Sequence, residues 1–237
     1  MTSAVQSSLA LSPRVAVSGI DGSGKTTLCD GLRRWLMSEG WAVHIIGNLP
    51  RAYRRTNNSV VDPDDPFLSS FFFNYAFECC GDPGSARFLF DPRYIDYVMA
   101  VEEVRLYYRT VRDVRRANNI FLHDRHILDR RVNAYQAGCP RSDIDLILGY
   151  VPPPNLTILL DVSPEIAMYR VRQRGKPGKD ENITDLAYYR RMYLECVASE
   201  PNRLILDASN AQSKVLETVL PYVRTVLDPE TRSGEDG

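Results

Sequence analysis

A glycine-rich loop near the start of the chain constrains its fold more than any other feature. Residues 19–26 read GIDGSGKT and satisfy the pattern G-x-x-x-x-G-K-[ST]. Glycines at these spacings let backbone N–H groups surround a phosphate, and a helix that begins at the loop points its positive end at the same oxygens. An apolar run at 15–18 precedes the loop and a helix-like run follows it, which is the context that this motif requires. The loop therefore predicts a phosphate-binding site between a strand and a helix.

The residues of this loop have distinct predicted tasks. Lys25 supplies a mobile positive charge to the outer phosphates of a nucleotide, and the Thr26 hydroxyl is a ligand for Mg²⁺. The predicted nucleotide-binding residues of the loop are Gly19, Asp21, Gly22, Ser23, Gly24, Lys25, Thr26 and Thr27. A GTPase would normally carry an Asn-Lys-x-Asp motif, and the chain contains no Asn-Lys dipeptide. The length of 237 residues favours a small-molecule kinase over a large ATPase.

Short β-rich runs recur along the chain and alternate with helix-like segments. They lie at 15–18, 42–46, 120–123, 156–160 and 204–206. None shows strict apolar–polar alternation, which favours strands buried on both faces of a parallel sheet. Strands that alternate with helices predict an open α/β sheet with right-handed crossovers.

Segments outside the predicted strands carry further predictions. Val101, Val104, Tyr108 and Val111 recur at helical spacing and predict a buried helix face, with Glu102 on the solvated side. The aromatic segment 66–80 predicts a short helix that packs in the core and at a subunit interface, or that forms a wall over an acceptor pocket. The ends, 1–13 and 228–237, are predicted to be flexible.

Composition excludes several classes of protein. Lys plus Arg (29) and Asp plus Glu (30) nearly cancel, so no strong field predicts a nucleic acid polymer or a membrane as partner. No apolar run reaches the roughly eighteen residues that crossing a bilayer requires, and the N-terminal residues do not resemble a signal peptide. The five cysteines show no metal-ligand spacing, which favours reduced thiols in a cytoplasmic protein.

Three more stretches lie at the ends of predicted strands. They read HDRHILDRRVNAYQ from His123, LLDVSPEIAMYRVRQRG from Leu159, and LILDAS from Leu204. Together with GIDGSGKTT, they resemble the thymidylate kinase family in order and spacing. The resemblance implies a P-loop NTPase three-layer α/β sandwich, with a five-stranded parallel sheet flanked by helices, over residues 14–227. It also implies ATP with Mg²⁺ as phosphate donor, and commonly a homodimer.

The resemblance assigns roles to residues on the donor side. Asp124 serves the metal together with Thr26, and Asp207 and Ala208 lie near the adenine of ATP. A basic lid at about 172–184 covers the donor. Some family members have an arginine where Gly22 stands in this chain, so here the catalytic positive charge must come from the lid. The predicted catalytic residues are Lys25, Arg125, Arg170, Arg174 and Lys179.

On the acceptor side the sequence departs from the family pattern. The stretch GNLPRAYRRT replaces the usual motif after the second strand, and only Pro50 and Arg51 resemble it. Glu103 and Arg105 occupy the positions where the family normally has an arginine and a glutamine. The predicted acceptor-binding residues are Asp21, Arg51, Glu103, Arg105, Arg125, Tyr135 and Gln136.

Together these observations predict an ATP-dependent nucleoside monophosphate kinase with a nucleotide acceptor, and dTMP is the leading candidate. Two alternatives remain open. A nucleoside or other small-molecule kinase on the same fold would use Asp21 or Asp124 as a base toward a hydroxyl. A nucleotide-binding regulatory protein would bind the nucleotide with little turnover.

Overall fold

Five parallel strands form the centre of the structure, a computed structural model that describes residues 12–47, 68–113, 118–175 and 182–228. The strands are β1 (Arg14–Ser18), β2 (Ala42–Ile46), β3 (Asn119–Asp124), β4 (Leu156–Asp161) and β5 (Arg203–Asp207). Their spatial order is β2-β3-β1-β4-β5, and every neighbouring pair is parallel. The five predicted strands and the parallel sheet are confirmed.

Burial differs between the centre and the edges of the sheet. β1 is buried along its whole length, as are β3 and β4 except for the aspartate that ends each of them. β2 and β5 are edge strands and contain exposed residues. The prediction that all five strands are buried on both faces is therefore correct for the three central strands only. An edge strand has one neighbour, so less of its surface is covered.

Helices flank this sheet and connect its strands. In the described ranges they are α1 (Lys25–Ser38), α2 (Leu68–Cys80), α3 (Ala86–Leu89), α4 (Pro92–Asp113), α5 (Ile127–Gln136), α6 (Arg141–Leu148), α7 (Pro164–Gln173), α8 (Ile183–Val197) and α9 (Gln212–Leu227). α1 packs against α9, whereas α5 packs against α4, α6 and α8. The core between helices and sheet includes Leu32, Leu122, Ile158 and Val219, all fully buried. The predicted three-layer α/β sandwich is confirmed.

α4 buries a different face from the one that its apolar spacing predicts. Val101 and Tyr108 are each 55% exposed, while Glu102 is only 2% exposed. The Glu102 carboxylate accepts hydrogen bonds from the backbone N–H and the hydroxyl of Ser69, at 3.0 and 2.5 Å. Because α2 supplies these donors, a carboxylate is buried where the sequence predicts a solvated side chain. The prediction is therefore wrong for Val101, Tyr108 and Glu102, whereas Val104 packs against a buried cluster as predicted.

The aromatic segment forms α2 and the short turns after it. Phe72, Phe73 and Phe90 pack around a small buried cluster. Phe71 and Phe77 are more than half exposed. The predicted helix is confirmed for Leu68–Cys80, and residues 66 and 67 lie outside the described residues. The roles suggested for the segment, at a subunit interface or over an acceptor pocket, stay predictions.

The described elements run from Arg14 to Leu227. The predicted flexible ends lie almost entirely outside the described residues, as does the centre of the predicted lid, 176–181. Of the helices in the described ranges, none combines the length and the apolar composition needed to cross a bilayer.

Candidate active site

The phosphate loop and three acidic strand ends meet at one edge of the sheet. β1 leads directly into the loop, and β3, β4 and β5 end at Asp124, Asp161 and Asp207. In an open parallel sheet, ligands bind beyond the carboxyl ends of the strands, where neighbouring connections leave in opposite directions. β1 lies between β3 and β4, so its loop occupies such a position.

At two positions of the loop, the backbone has a conformation that favours glycine. Gly19 and Gly22 have φ angles of +144° and +84°. A Cβ atom on Gly22 would lie 2.3 Å from the Ala167 carbonyl oxygen of α7, and one on Gly19 would lie 2.6 Å from the Leu160 carbonyl oxygen. The residue after the loop aspartate therefore has no room for a side chain, which explains why an arginine is missing there.

Lys25 is buried beneath the loop and points into it. Its Nζ atom donates hydrogen bonds to the carbonyl oxygens of Gly19 and Ile20, at 2.8 and 2.7 Å, and lies 3.5 Å from the Asp21 carboxylate. Burial, together with the positive charge of Arg125, lowers the pKa of Lys25 to about 8. An anionic phosphate in the loop would favour the charged lysine.

Thr26 and Asp124 form an oxygen pair suited to a divalent cation. The Thr26 hydroxyl donates a 2.9 Å hydrogen bond to Asp124 Oδ2. Mg²⁺ in phosphotransferases takes one or two protein oxygen ligands and completes its shell with water and phosphate oxygens. Within the described residues, no three His, Cys, Asp or Glu side chains cluster as a metal site. Thr26 and Asp124 would hold the ion.

Asp21 and Arg125 form an ion pair across the mouth of the site. Burial alone would raise the pKa of Asp21, but the positive charges of Arg125 and Lys25 outweigh it and hold this pKa well below its usual range. Arg174, at the end of α7, adds to the same effect. The Arg125 backbone is left-handed, with φ +78°, which non-glycine residues rarely adopt outside functional sites.

A cavity of about 320 Å³ opens beside the phosphate loop. Its lining includes Ser23, Gly24, Thr27, Arg170 and Ala208, all close to predicted donor-binding positions. Arg170 Nη1 donates a 2.9 Å hydrogen bond to the Ala208 carbonyl oxygen and so ties α7 to the loop after β5. The size and place of this cavity suit the nucleoside part of a donor nucleotide.

Sequence reasoning missed several residues that line this cavity. They are Leu28, Gly31, Arg34, Leu160, Asn210, Gln212, Ser213, Val215 and Leu216. Asn210 and Gln212 follow the DAS motif closely, and that proximity was the one available signal. Asp207 itself holds the turn, because its carboxylate accepts a 2.9 Å hydrogen bond from the Ser209 backbone N–H.

The predicted acceptor residues are not all brought together. Glu103 is buried on α4 with its carboxylate 3.6 Å from Arg130, and burial raises its pKa. Arg105 lies half-buried on the same helix. Tyr135 and Gln136 lie at the C-terminal end of α5, roughly 12 Å along the helix from its start beside Arg125.

Tyr135, one of the predicted acceptor-binding residues, makes its contacts with other parts of the fold. The Tyr135 hydroxyl donates a 2.7 Å hydrogen bond to Asp145, and the Arg141 guanidinium lies 4.9 Å from the centre of the Tyr135 ring. The structure therefore does not bring Tyr135 and Gln136 to the Asp21–Arg125 pair, and their binding role stays a prediction. Arg51 and Lys179 lie outside the described residues.

Comparisons with known proteins show what this chain is similar to. A family model described as thymidylate kinase matches residues 94–219. A probable thymidylate kinase of Pyrobaculum aerophilum is 30% identical over 213 residues, covering 90% of this chain and 97% of that protein. A probable thymidylate kinase of Archaeoglobus fulgidus is 26% identical over 219 residues, covering 92% and 98%.

Among solved structures, a deoxyadenosine kinase from M. mycoides, with the products dCMP and a flexible dCDP bound, is similar with a TM-score of 0.55. It is 15% identical, and the match covers 90% of this chain and 99% of that one, which shows a shared fold. The family model spans more than half of this chain, and the two relatives match it over nearly their whole length. The chain belongs to the thymidylate kinase family.

Proposed function

We propose that this protein transfers the γ-phosphoryl group of ATP to dTMP and forms dTDP and ADP. A phosphate oxygen of dTMP forms the new bond to phosphorus, and the bond between that phosphorus and the β,γ-bridging oxygen breaks. One observation carries the proposal: a complete phosphate loop and the Asp21–Arg125 pair lie together at one edge of the sheet. The family to which the chain belongs supports the same function. Phosphoryl transfer depends mainly on positioning and charge neutralisation, and these residues supply both.

The donor half of the proposal rests on the loop and its neighbouring cavity. Lys25 and the loop N–H groups bind the β- and γ-phosphates, and the cavity beside Arg170 takes the nucleoside. Mg²⁺, held by Thr26 and Asp124, neutralises charge on the phosphates when it is bound. Lys25→Ala should reduce kcat by orders of magnitude while the protein remains folded, because the lysine charge matters most as the phosphoryl group moves.

The acceptor half rests on Arg125. Its guanidinium is only 21% exposed and lies at a strand end, next to the phosphate loop. A fixed arginine there binds an anionic acceptor through two parallel hydrogen bonds. The favoured acceptor is therefore a phosphate group, which at neutral pH needs no strong base. Although burial opposes the effect, the positive charges of Arg125 and Lys25 hold the pKa of Asp21 well below its usual range, which makes Asp21 a weak base toward a hydroxyl. Asp124 is proposed to hold Mg²⁺ instead.

An acceptor panel tests this proposal. dTMP, dUMP, dCMP, UMP, CMP and the bare nucleosides are compared at equal concentration with ATP and Mg²⁺. Arg125→Ala should reduce kcat/KM for the best monophosphate about 30- to 1,000-fold, the effect of losing roughly 2–4 kcal/mol. Arg93→Ala is the matched control, because Arg93 pairs with Asp91 on the surface. A bare nucleoside as best acceptor, unaffected by Arg125→Ala, would favour the hydroxyl kinase; binding without turnover would favour a regulatory protein.

The proposal also includes three properties that follow from the resemblance or from composition. The basic segment at about 172–184, which contains Lys179, closes over the donor as a lid. The protein forms a homodimer. It works in the cytoplasm, as its reduced cysteines suggest. Sedimentation tests the dimer, and protection of the lid from proteolysis by ATP with dTMP tests the closure.

A further inference from the structure

Asp129 is a buried carboxylate that no step of the proposed reaction uses. It lies on the first turn of α5 and is only 2% exposed. Its Oδ2 atom accepts a 2.5 Å hydrogen bond from the Ser18 hydroxyl and a 3.1 Å hydrogen bond from the His126 backbone N–H. These donors belong to the last residue of β1 and to the turn after β3. One oxygen of Asp129 thus connects the phosphate-loop strand to the turn that carries Arg125.

The other oxygen of Asp129 faces Arg125 and α8. Oδ1 accepts a 2.7 Å hydrogen bond from the Tyr193 hydroxyl and a 3.4 Å hydrogen bond from Arg125 Nη1. Burial and the charge of Asp129 hold the pKa of Tyr193 well above its usual range, so this hydroxyl keeps its proton and remains a donor. With two donors on each oxygen, the carboxylate is saturated and its position is fixed.

This arrangement matters because the backbone and side chain of Arg125 are held in place by hydrogen bonds to other residues. Its left-handed backbone is held by one hydrogen bond from its N–H to the Val17 carbonyl oxygen, at 3.0 Å, and by the bond from the next N–H to Asp129. Its side chain is held between Asp21 and Asp129. Asp21 is 39% exposed and lies on the loop that receives the donor, whereas Asp129 is buried and fixed. Asp129 therefore remains as an anchor when ligands change the surroundings of Asp21.

We propose that Asp129 is a positioning residue that orients Arg125 toward the acceptor phosphate, and that Tyr193 fixes Asp129 from α8. The inference rests on the proposed function, because it gives Arg125 a phosphate to bind. According to this proposal, acceptor binding depends on α8, the helix that follows the basic lid segment in the chain. Asp129 and Tyr193 themselves touch neither the phosphoryl donor nor the acceptor.

A double-mutant cycle tests the proposal. Asp129→Asn should raise the acceptor KM about tenfold or more and leave the ATP KM within about twofold. The amide has no negative charge to attract Arg125, and only one of its two polar atoms accepts hydrogen bonds, so it cannot serve all four donors around this side chain. In an Arg125→Ala background the same substitution should change acceptor kcat/KM by less than about twofold, since coupled residues are not additive. Equal losses in both backgrounds would show a purely structural role and overturn the proposal.

A second variant keeps the test decisive if Asp129→Asn does not fold. Tyr193→Phe retains the Asp129 charge and removes only one hydrogen bond, and it should raise the acceptor KM in the same Arg125-dependent way. Tyr97→Phe is the matched control, because the Tyr97 hydroxyl donates a 2.6 Å hydrogen bond to Asp143 away from Arg125. A Tyr193→Phe enzyme with wild-type acceptor KM would overturn the proposal.

An NMR measurement made without substrate tests this inference independently of the proposed function. The Arg125 Nε–H resonance in ¹⁵N NMR spectra, assigned by its loss in Arg125→Ala, should shift or broaden in Tyr193→Phe and stay unchanged in Tyr97→Phe. If the wild-type protein phosphorylates no monophosphate, the proposed function fails, and the resonance alone decides whether Asp129 orients Arg125. An unchanged resonance in Tyr193→Phe would overturn the inference even in an active enzyme.

Discussion

The Thr26 hydroxyl donates a 2.9 Å hydrogen bond to the Asp124 carboxylate, although 98 residues separate them in the chain. One residue begins the helix after β1, and the other ends the neighbouring strand β3. The pairing of parallel strands brings these two oxygen groups together, and oxygen is the ligand type that Mg²⁺ prefers, so we propose this pair as its site.

Removal of the Thr26 hydroxyl should weaken the binding of Mg²⁺, because the ion would lose one of its two proposed protein ligands. Thr26→Val should raise the Mg²⁺ concentration for half-maximal activity at least about tenfold, whereas Thr26→Ser keeps the oxygen and should stay within about threefold. The measurement is a Mg²⁺ titration at fixed ATP. Equal titration curves for the two variants would show that Thr26 is not a ligand.

Gly22 should tolerate no side chain, for reasons of space as well as of backbone angle. Gly22→Ala should reduce the free energy of unfolding by about 2–5 kcal/mol, since a left-handed alanine costs about 1–2 kcal/mol and overpacking adds about 1–3 kcal/mol. Gly40→Ala should reduce the free energy of unfolding only by the backbone cost of about 1–2 kcal/mol. Gly40 has φ +86°, but nothing lies within 4 Å of an added Cβ, so no overpacking is expected. Urea unfolding measures both variants, and equal losses would contradict the close approach of α7 to Gly22.

Arg170 should act on the donor alone. Arg170→Ala removes the charged hydrogen bond to the Ala208 carbonyl oxygen and part of the cavity wall, and should raise the ATP KM about tenfold with little change in the acceptor KM. Arg93→Ala is the control, because Arg93 pairs with Asp91 and does not line the cavity. Steady-state kinetics with each substrate varied in turn gives both constants. A larger effect of Arg93→Ala than of Arg170→Ala on the ATP KM would place the donor elsewhere.

Two of the five cysteines should react with iodoacetamide at pH 8. Cys79 and Cys80 are exposed, whereas Cys29, Cys139 and Cys196 are buried. Burial raises the pKa of Cys139 and of Cys196 to about 11 and raises that of Cys29 as well, so few reactive thiolates form there. Mass spectrometry should find two adducts in the native protein and five in urea. Three or more adducts without denaturant would contradict the burial of these thiols.

Local sequence determined the phosphate loop, because its glycines, Lys25 and Thr26 act within one strand-loop-helix unit. The same reasoning found all five strands to within about a residue at each end, since buried strands of a parallel sheet need continuous apolar runs. It also predicted that Asp124 and Arg125 lie beside the loop, because the carboxyl ends of neighbouring parallel strands meet at one sheet edge, and the structure brings both residues there. The metal-binding role of Asp124 stays a prediction.

Tertiary structure decided which charges are buried and which residues pair. The spacing of Val101 and Tyr108 predicts a buried face, but the face with Glu102 is buried because Ser69 of α2 supplies two donors to its carboxylate. No local pattern contains such a donor, since it comes from a helix about 30 residues away in the chain.

Tertiary structure also decided which residues pair at the centre of the site. The sequence identified Asp21, Gly22 and Arg125 but did not show that Arg125 pairs with Asp21, or that α7 leaves Gly22 no room for a side chain. The sequence allowed an ion pair between Arg125 and Asp129, but it gave no sign that three further donors from separate parts of the fold would meet the same carboxylate. Ion pairs and close contacts depend on distances between segments far apart in the chain. Those distances are set by how the helices pack on the sheet, which local sequence does not encode.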